Sequence, residues 1–312
     1  MIDIKKRIFI TGVTGFVGAN LLHRLISIGA NDVHILIRKN SDTSRIDHLL
    51  DNVTIHSFSL EHKEETVEFL RKIKPQIVYH IAAMGTVVGR KPVSIDDLIV
   101  TNTLGSIHLI DASIEVGCEY FINTGSSSEY GFKDAPMFES DIASPNNFYG
   151  ISKVAATQYA SLVKQHSFYP IVTYRLFSVY GQFEDPKRLI PTLIKNYIQG
   201  NEPELSSPLF VRDFVYIDDV IDSYLNADIA CDSTESIINI GSGIQSSISD
   251  VVNMLKDILN SSIEPQYNKQ QAYQFEPKTW VSDNSKMKNL LQISPISLRD
   301  GLIRTIDHFN RK

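Results

Sequence analysis

Apolar positions in the first half of the chain alternate between two textures. Short runs dense in β-branched residues, at 8–10, 33–37, 53–58, 77–81, 120–124 and 171–176, read as strands that are apolar on both faces. Between them, residues 67–73 and 103–116 place apolar side chains at helical spacing. Such alternation demands parallel strands joined by right-handed crossovers, so the predicted fold is α/β with a doubly wound parallel sheet. After Leu176 the pattern loosens through Pro186, Pro191, Pro203 and Pro208 into shorter elements. These predict a smaller α+β lobe over the carboxyl ends of the strands, the edge at which such sheets bind ligands. No repeat or flexible linker separates the two parts, so they should interleave.

The first strand leads directly into candidate chemistry. Ile8-Phe9-Ile10 runs into Thr11-Gly12-Val13-Thr14-Gly15-Phe16-Val17-Gly18 and then into the amphipathic Ala19-Asn20-Leu21-Leu22-His23-Arg24-Leu25-Ile26. The first glycine permits a tight turn, the second a close approach to a pyrophosphate, and the third close packing of helix on strand. Unpaired N–H groups at the helix start face the anion, which makes a dinucleotide the natural ligand of a Rossmann-like domain. The expected division gives residues 1–174 and 208–240 to that dinucleotide-binding domain, and 175–207 and 241–312 to the substrate lobe.

Composition narrows the partners. With 312 residues, ordinary apolar content and a net charge of −6, the chain can bury a full core and shows no basic surface for nucleic acid. Cys118 and Cys231 lack metal-type spacing and read as small buried hydrophobes, so neither a metal nor a disulfide framework is expected. No apolar run approaches the ~20 residues of a membrane span and no leader pattern precedes the first strand, so a cytoplasmic location is expected.

A second constellation is Tyr149-Gly150-Ile151-Ser152-Lys153, at the start of a helical pattern. Residues four apart share a helix face, and a nearby ammonium favours the phenolate of a tyrosine whose ordinary pKa is about 10. Lys153 can therefore tune Tyr149. Upstream, the strand at 120–124 ends in Gly125-Ser126-Ser127-Ser128-Glu129-Tyr130-Gly131, where a hydroxyl at a strand's carboxyl end can hold a substrate oxygen while Tyr149 exchanges its proton.

With these residues on view, the chain resembles the extended short-chain dehydrogenase/reductase family along nearly its whole length. Further anchors of the likeness are His80-Ile81-Ala82-Ala83, Asn102, Arg175-Leu176-Phe177-Ser178-Val179-Tyr180-Gly181, Arg212-Asp213-Phe214-Val215-Tyr216-Ile217-Asp218-Asp219-Val220 and Asn239-Ile240-Gly241-Ser242-Gly243. The resemblance implies a catalytic set of Ser126, Tyr149 and Lys153, with Ser127 as the alternative hydroxyl if the turn shifts by one. It implies dinucleotide contacts from Gly12, Thr14, Gly15, Phe16, Val17, Gly18, Arg38, Leu60, Ala82 and Ala83 together with Tyr149 and Lys153. Substrate contacts are implied for Ser127, Ser128, Ser178 and Arg212, the last meeting the diphosphate of a nucleotide-linked sugar unless it pairs with Asp213 or Asp218. Asn102 reads as a structural hydrogen-bonding residue and His80 as part of a packed strand end. Family members often form homodimers through the helix after Asn102 and the tyrosine helix; Leu104, Ile107, Leu109 and Ile110 could serve that contact or the monomer core.

Departures from the family pattern bear on the reaction. Dehydratases of the family place an acid just after the triad hydroxyl, where this chain has Ser127 and Ser128. Glu129 comes one place late, and one step along a strand or tight turn reverses a side chain, so a 4,6-dehydratase is disfavoured. Ser178 stands for the usual Asn, Ser59 for the usual adenine-binding Asp, and no arginine fills the second diphosphate position before Asp283, where Lys278 is the nearest cation. At the end of the second strand Arg38 replaces the acid that would bind a free ribose 2′-hydroxyl, with Lys39 and Ser41 beside it, so NADPH is favoured over NADH. Asp32 reads as a turn residue. The leading expectation is NADPH-dependent reduction of the C4 keto group of a nucleotide-linked 4-keto-6-deoxy sugar; a 4-epimerase with tightly held NAD is the alternative, and a non-catalytic dinucleotide sensor is disfavoured by the intact proton-transfer set. Loops at 183–188, 206–210 and 271–278 are expected to select the sugar nucleotide.

Overall fold

Ile8, Phe9, Ile10 and Thr11 are all buried, as a strand covered on both faces requires. In a computed structural model that describes residues 1–85, 93–269 and 278–310, this strand, β1 (Ile8–Thr11), is an inner strand of a seven-stranded sheet. The other strands are β2 (Val33–Leu36), β3 (Thr54–His56), β4 (Ile77–His80), β5 (Tyr120–Ser126), β6 (Ile171–Leu176) and β9 (Ile237–Ile240). Every pairing in the order β3-β2-β1-β4-β5-β6-β9 is parallel, which is the doubly wound α/β sheet expected. A second sheet joins β7 (Ser178–Tyr180) in parallel to β8 (Val211–Tyr216), and β8 in antiparallel to β10 (Gln245–Ser247).

Strand ends differ from expectation for physical reasons. The run at 53–58 shortens to β3 because it forms the sheet edge, where Ile55 stays half exposed. The run at 120–124 lengthens to Ser126 because Gly125 and Ser126 continue pairing with Arg175 and Leu176 of β6. The ladder thereby carries a candidate hydroxyl to the tip of a central strand. Strand β8 pairs in the small sheet, so residues 211–216 leave the large sheet to which the division at 208–240 gave them, and β6 crosses the boundary drawn at 175. Helix Ile217–Leu225 and β9 return the chain to the large sheet.

Helices α1 (Phe16–Ser27), α2 (Lys63–Ile73), α3 (Ile95–Leu98), α4 (Gly105–Glu115) and α5 (Phe148–Ser167) belong to the large-sheet part. The helical pattern at 103–116 resolves into a wide π-type turn over Ile99–Leu104 followed by α4, which aims Asn102 and Thr103 at α5. One apolar cluster runs from Ile8 and Ile10 through Tyr174 and Tyr216 to Leu193, Val251 and Leu302, so the two parts share a core. Cys118 and Cys231 are both free and buried, in the places of small hydrophobes. Among the described residues no helix is long and apolar enough to cross a membrane.

Candidate active site

The glycine turn sits against the carboxyl end of β4. Gly12 adopts φ +79°, and a Cβ there would lie 2.5 Å from the Ala82 nitrogen; a Cβ on Gly18 would lie 2.2 Å from the Gly12 carbonyl oxygen. Only hydrogen fits at either position, and the chain therefore brings Ala82, Ala83 and the start of α1 to one ledge. Gly15 is the extended N-cap of α1, with no side-chain cap and no acid in the first turn. An uncapped N-terminus with a bare glycine ledge suits an anionic diphosphate. Arg45 braces this turn by donating to the carbonyls of Thr14 at 3.1 Å and Phe183 at 2.8 Å, a contact that the sequence pattern does not signal.

Hydrogen bonds fix the floor behind the ledge. His80 bridges Thr11 Oγ1 and Ser106 Oγ, each at 2.8 Å, and burial holds it neutral, down at about 3. Asn102 accepts from the Met84 N–H at 2.7 Å and donates to the Met84 carbonyl at 2.8 Å and to Ser152 Oγ at 2.9 Å. It thus ties the segment after β4 to the helix that carries Tyr149.

Helix α5 starts at Asn147, whose side chain accepts from the Gly150 N–H at 2.8 Å. A Cβ on Gly150 would lie 2.4 Å from the Ser128 carbonyl oxygen, so glycine lets the serine turn press against the helix start. Ser126 Oγ accepts from the Ser128 N–H at 3.1 Å and faces the Tyr149 phenol. Ser126 and Tyr149 are brought together; Ser127 is buried beside them and Ser128 only partly so. The Tyr149 ring is partly accessible, but its hydroxyl is deep, and burial pushes it up to about 12 with Glu129 adding to the rise. The Ser126 hydrogen bond and the Arg188 charge oppose that rise. Arg188 adds a favourable positive charge at the phenol. Lys153 is itself almost wholly buried and is brought down to about 8 by that burial, against the pull of Glu129. Its ammonium makes no hydrogen bond among the described residues and is not one of the fully buried unpaired groups, so its donors are open to the hydroxyls of a dinucleotide ribose.

Around this centre the other expected residues fall as follows. Arg38 is exposed at the end of β2 with no ion pair among the described residues, and its carbonyl accepts from the Ser41 N–H. Asp32 is engaged by Arg7 at 2.9 Å and His34 at 3.0 Å. Leu60 turns its side chain into the core beside α4, and its carbonyl meets His108 at 3.0 Å. Ser178 begins β7 opposite Phe214. Arg212 lies 5.7 Å over the Trp280 ring, a partner that sequence reading missed. Asp213 accepts from Ser242, Gly243 and Ser282, and Asp218 meets Arg24 and Arg304. Most of the loop at 271–278 lies outside the described residues; Lys278, at its edge, is exposed.

The arrangement sets Ser126, at the tip of β5, beside Tyr149 at the start of α5, and leaves a bare glycine ledge at the start of α1. A family model described as the NAD dependent epimerase/dehydratase family matches residues 8–241. CDP-abequose synthase of Salmonella muenchen is 27% identical over 86% of this chain and 85% of its own length. The structure of a UDP-glucose 4-epimerase from Thermotoga maritima with UDP-glucose superposes with a TM-score of 0.85 at 25% identity, covering 97% of this chain and 98% of that one. A UDP-glucuronic acid 4-epimerase from Bacillus cereus, solved with UDP-glucuronic acid and NAD, gives 0.82 at 27% identity over 97% and 99%.

Proposed function

The chain belongs to the NAD-dependent epimerase/dehydratase family, and from that premise we propose that it reduces the C4 keto group of a nucleotide-linked 4-keto-6-deoxy sugar with NADPH. The bound dinucleotide would supply the hydride. Tyr149 donates the proton to the C4 oxygen, a role suited to a phenol that burial keeps protonated at neutral pH. Ser126 orients that oxygen, Lys153 meets the ribose hydroxyls, the Gly12 to Gly18 turn meets the diphosphate of the dinucleotide, and Arg212 that of the sugar nucleotide.

The observation that carries the reductase reading is Arg38, exposed and without an ion pair among the described residues where a 2′-hydroxyl reader would be acidic. Serines at 127 and 128, where a dehydratase of the family has its acid, point away from water elimination. The likeness to CDP-abequose synthase supports the same branch. The second reading is a 4-epimerase with retained NAD, favoured by the likeness to 4-epimerases whose structures hold UDP-glucose or a UDP-sugar acid with NAD. Purified protein given NADPH and a panel of nucleotide 4-keto-6-deoxy sugars should consume nicotinamide absorbance in step with C4-reduced product. Bound NAD after purification, with turnover of a UDP-sugar and no added cofactor, would establish the epimerase instead.

A homodimer is also proposed. Leu109 and Ile110 are fully buried in the monomer, whereas Leu104 on the turn before α4 and Ile151 and Leu162 on α5 are each more than 40% exposed. Apolar side chains left on these two adjacent elements suit a contact with a second copy.

A further inference from the structure

Beneath Ser126 and Tyr149 lies a carboxylate that the proposed reaction does not use. Glu129 is wholly buried and closes the short turn Ser127–Glu129. Its Oε1 accepts from the Ser126 backbone N–H at 2.8 Å and from the Thr157 hydroxyl at 3.0 Å, and its Oε2 accepts from Arg175 Nε at 2.8 Å. Those donors belong to three elements: the tip of β5, α5 one turn beyond Lys153, and β6. Gly125 leaves the necessary room, since a Cβ there would lie 2.7 Å from Oε1. Arg175 in turn lies 4.5 Å over the Tyr130 ring, whose hydroxyl donates to Asn239 Oδ1 at 2.7 Å. The carboxylate is thus fixed in place by β5, α5 and β6, and through Arg175 and Tyr130 by β9.

We propose that Glu129 is a positioning residue for the proton transfer: it clamps the Ser126 backbone to the helix of Tyr149 and Lys153 and brings its carboxylate charge to bear on both side chains. The clamp follows from Oε1, which receives Ser126 and Thr157 on one oxygen and so fixes the distance between strand tip and helix. The charge acts in one sense on both partners. A buried negative charge opposes the phenolate and favours the ammonium, which is the neutral-donor, charged-lysine state that proton donation requires. Other groups facing the pair act differently. Arg188, at the start of helix Leu189–Gln199, favours the phenolate; Tyr224, from helix Ile217–Leu225, faces Tyr149 with its hydroxyl bound to Thr124 at 2.6 Å; His80, from β4, faces Lys153 as a neutral imidazole. Among these groups Glu129 is the one that acts on Tyr149 and Lys153 alike.

The proposal rests on Tyr149 being the proton donor, and the test separates the two claims by titrating Tyr149 without substrate. The phenolate absorbance that Tyr149→Phe removes is followed against pH in wild type and in Glu129→Gln. The expected result is a midpoint lower by roughly one pH unit in the variant. Turnover at pH 7 should fall about tenfold or more, while KM stays within about twofold. If Glu129→Gln does not fold, the double variant E129Q/R175M removes both charges of the buried pair together and carries the same measurement. An unmoved midpoint, accompanied only by a lower melting temperature, makes Glu129 a structural clip and overturns the proposal. A moved midpoint with undiminished turnover in Tyr149→Phe would instead sink the proton-donor reading.

Discussion

Replacing Lys153 by methionine should make the dinucleotide-free protein more stable while disabling it. The side chain is 1% exposed, and burial lowers its ammonium from 10.5 to about 8 even though Glu129 pulls the other way. That gap corresponds to about 3 kcal/mol of folding free energy, at about 1.4 kcal/mol per pH unit, which the folded state forfeits to keep the charge at neutral pH. Methionine has nearly the same length and needs no hydrogen bonds, so Lys153→Met should gain roughly 1–3 kcal/mol at pH 7 and raise the melting temperature by several degrees. The sign of the pH dependence is fixed. Between about pH 8 and 10.5 the unfolded chain binds more protons at this position than the folded one, so wild-type stability recovers as pH rises through that window. The advantage of the variant should therefore be constant below pH 7.5 and vanish near pH 10.5. Urea unfolding at half-unit pH steps on dinucleotide-free protein measures this directly. The same variant should bind dinucleotide roughly ten- to hundredfold more weakly, through loss of charge-assisted hydrogen bonds to ribose. A variant that is less stable than wild type at pH 7, or whose stability difference ignores pH, would refute the reasoning, because Lys153 would then be satisfied within the protein.

Three further outcomes are expected. Tyr149→Phe should leave dinucleotide affinity within about twofold and lower turnover by ~10²–10⁴, with Ser126→Ala costing less; near-wild-type turnover in the Phe variant would remove Tyr149 from the reaction. Arg38→Ala should weaken NADPH roughly ten- to hundredfold and NADH hardly at all, as read from paired dissociation constants. Equal losses would make Arg38 a general electrostatic residue and move the epimerase reading to first place. Sedimentation of Leu104→Glu/Leu162→Glu should show a monomer where wild type is a dimer, and an unchanged oligomeric state places the interface elsewhere.

The fold was legible because its determinants are local. Runs apolar on both faces, spaced by helical patterns, admit few arrangements, and the glycine turn marks the first strand without ambiguity. Strand ends were less legible because pairing decides them: β5 reaches Ser126 only because Arg175 and Leu176 of β6 continue the ladder, and β8 turns to the small sheet because β7 and β10 offer partners there. Spacing put Tyr149 and Lys153 on one helix face, but not the charges around them. A phenol beside a lysine reads as an acidified tyrosine in one dimension. In three, burial and Glu129 push that phenol upward and Arg188, thirty-nine positions further along, provides the opposing charge. Glu129 itself looked like an acid one place too late for elimination. The same displacement turns its carboxylate inward onto Ser126, Thr157 and Arg175, so the residue set aside as an elimination acid is the one that ties the strand tip of Ser126 to the helix of Tyr149 and to β6.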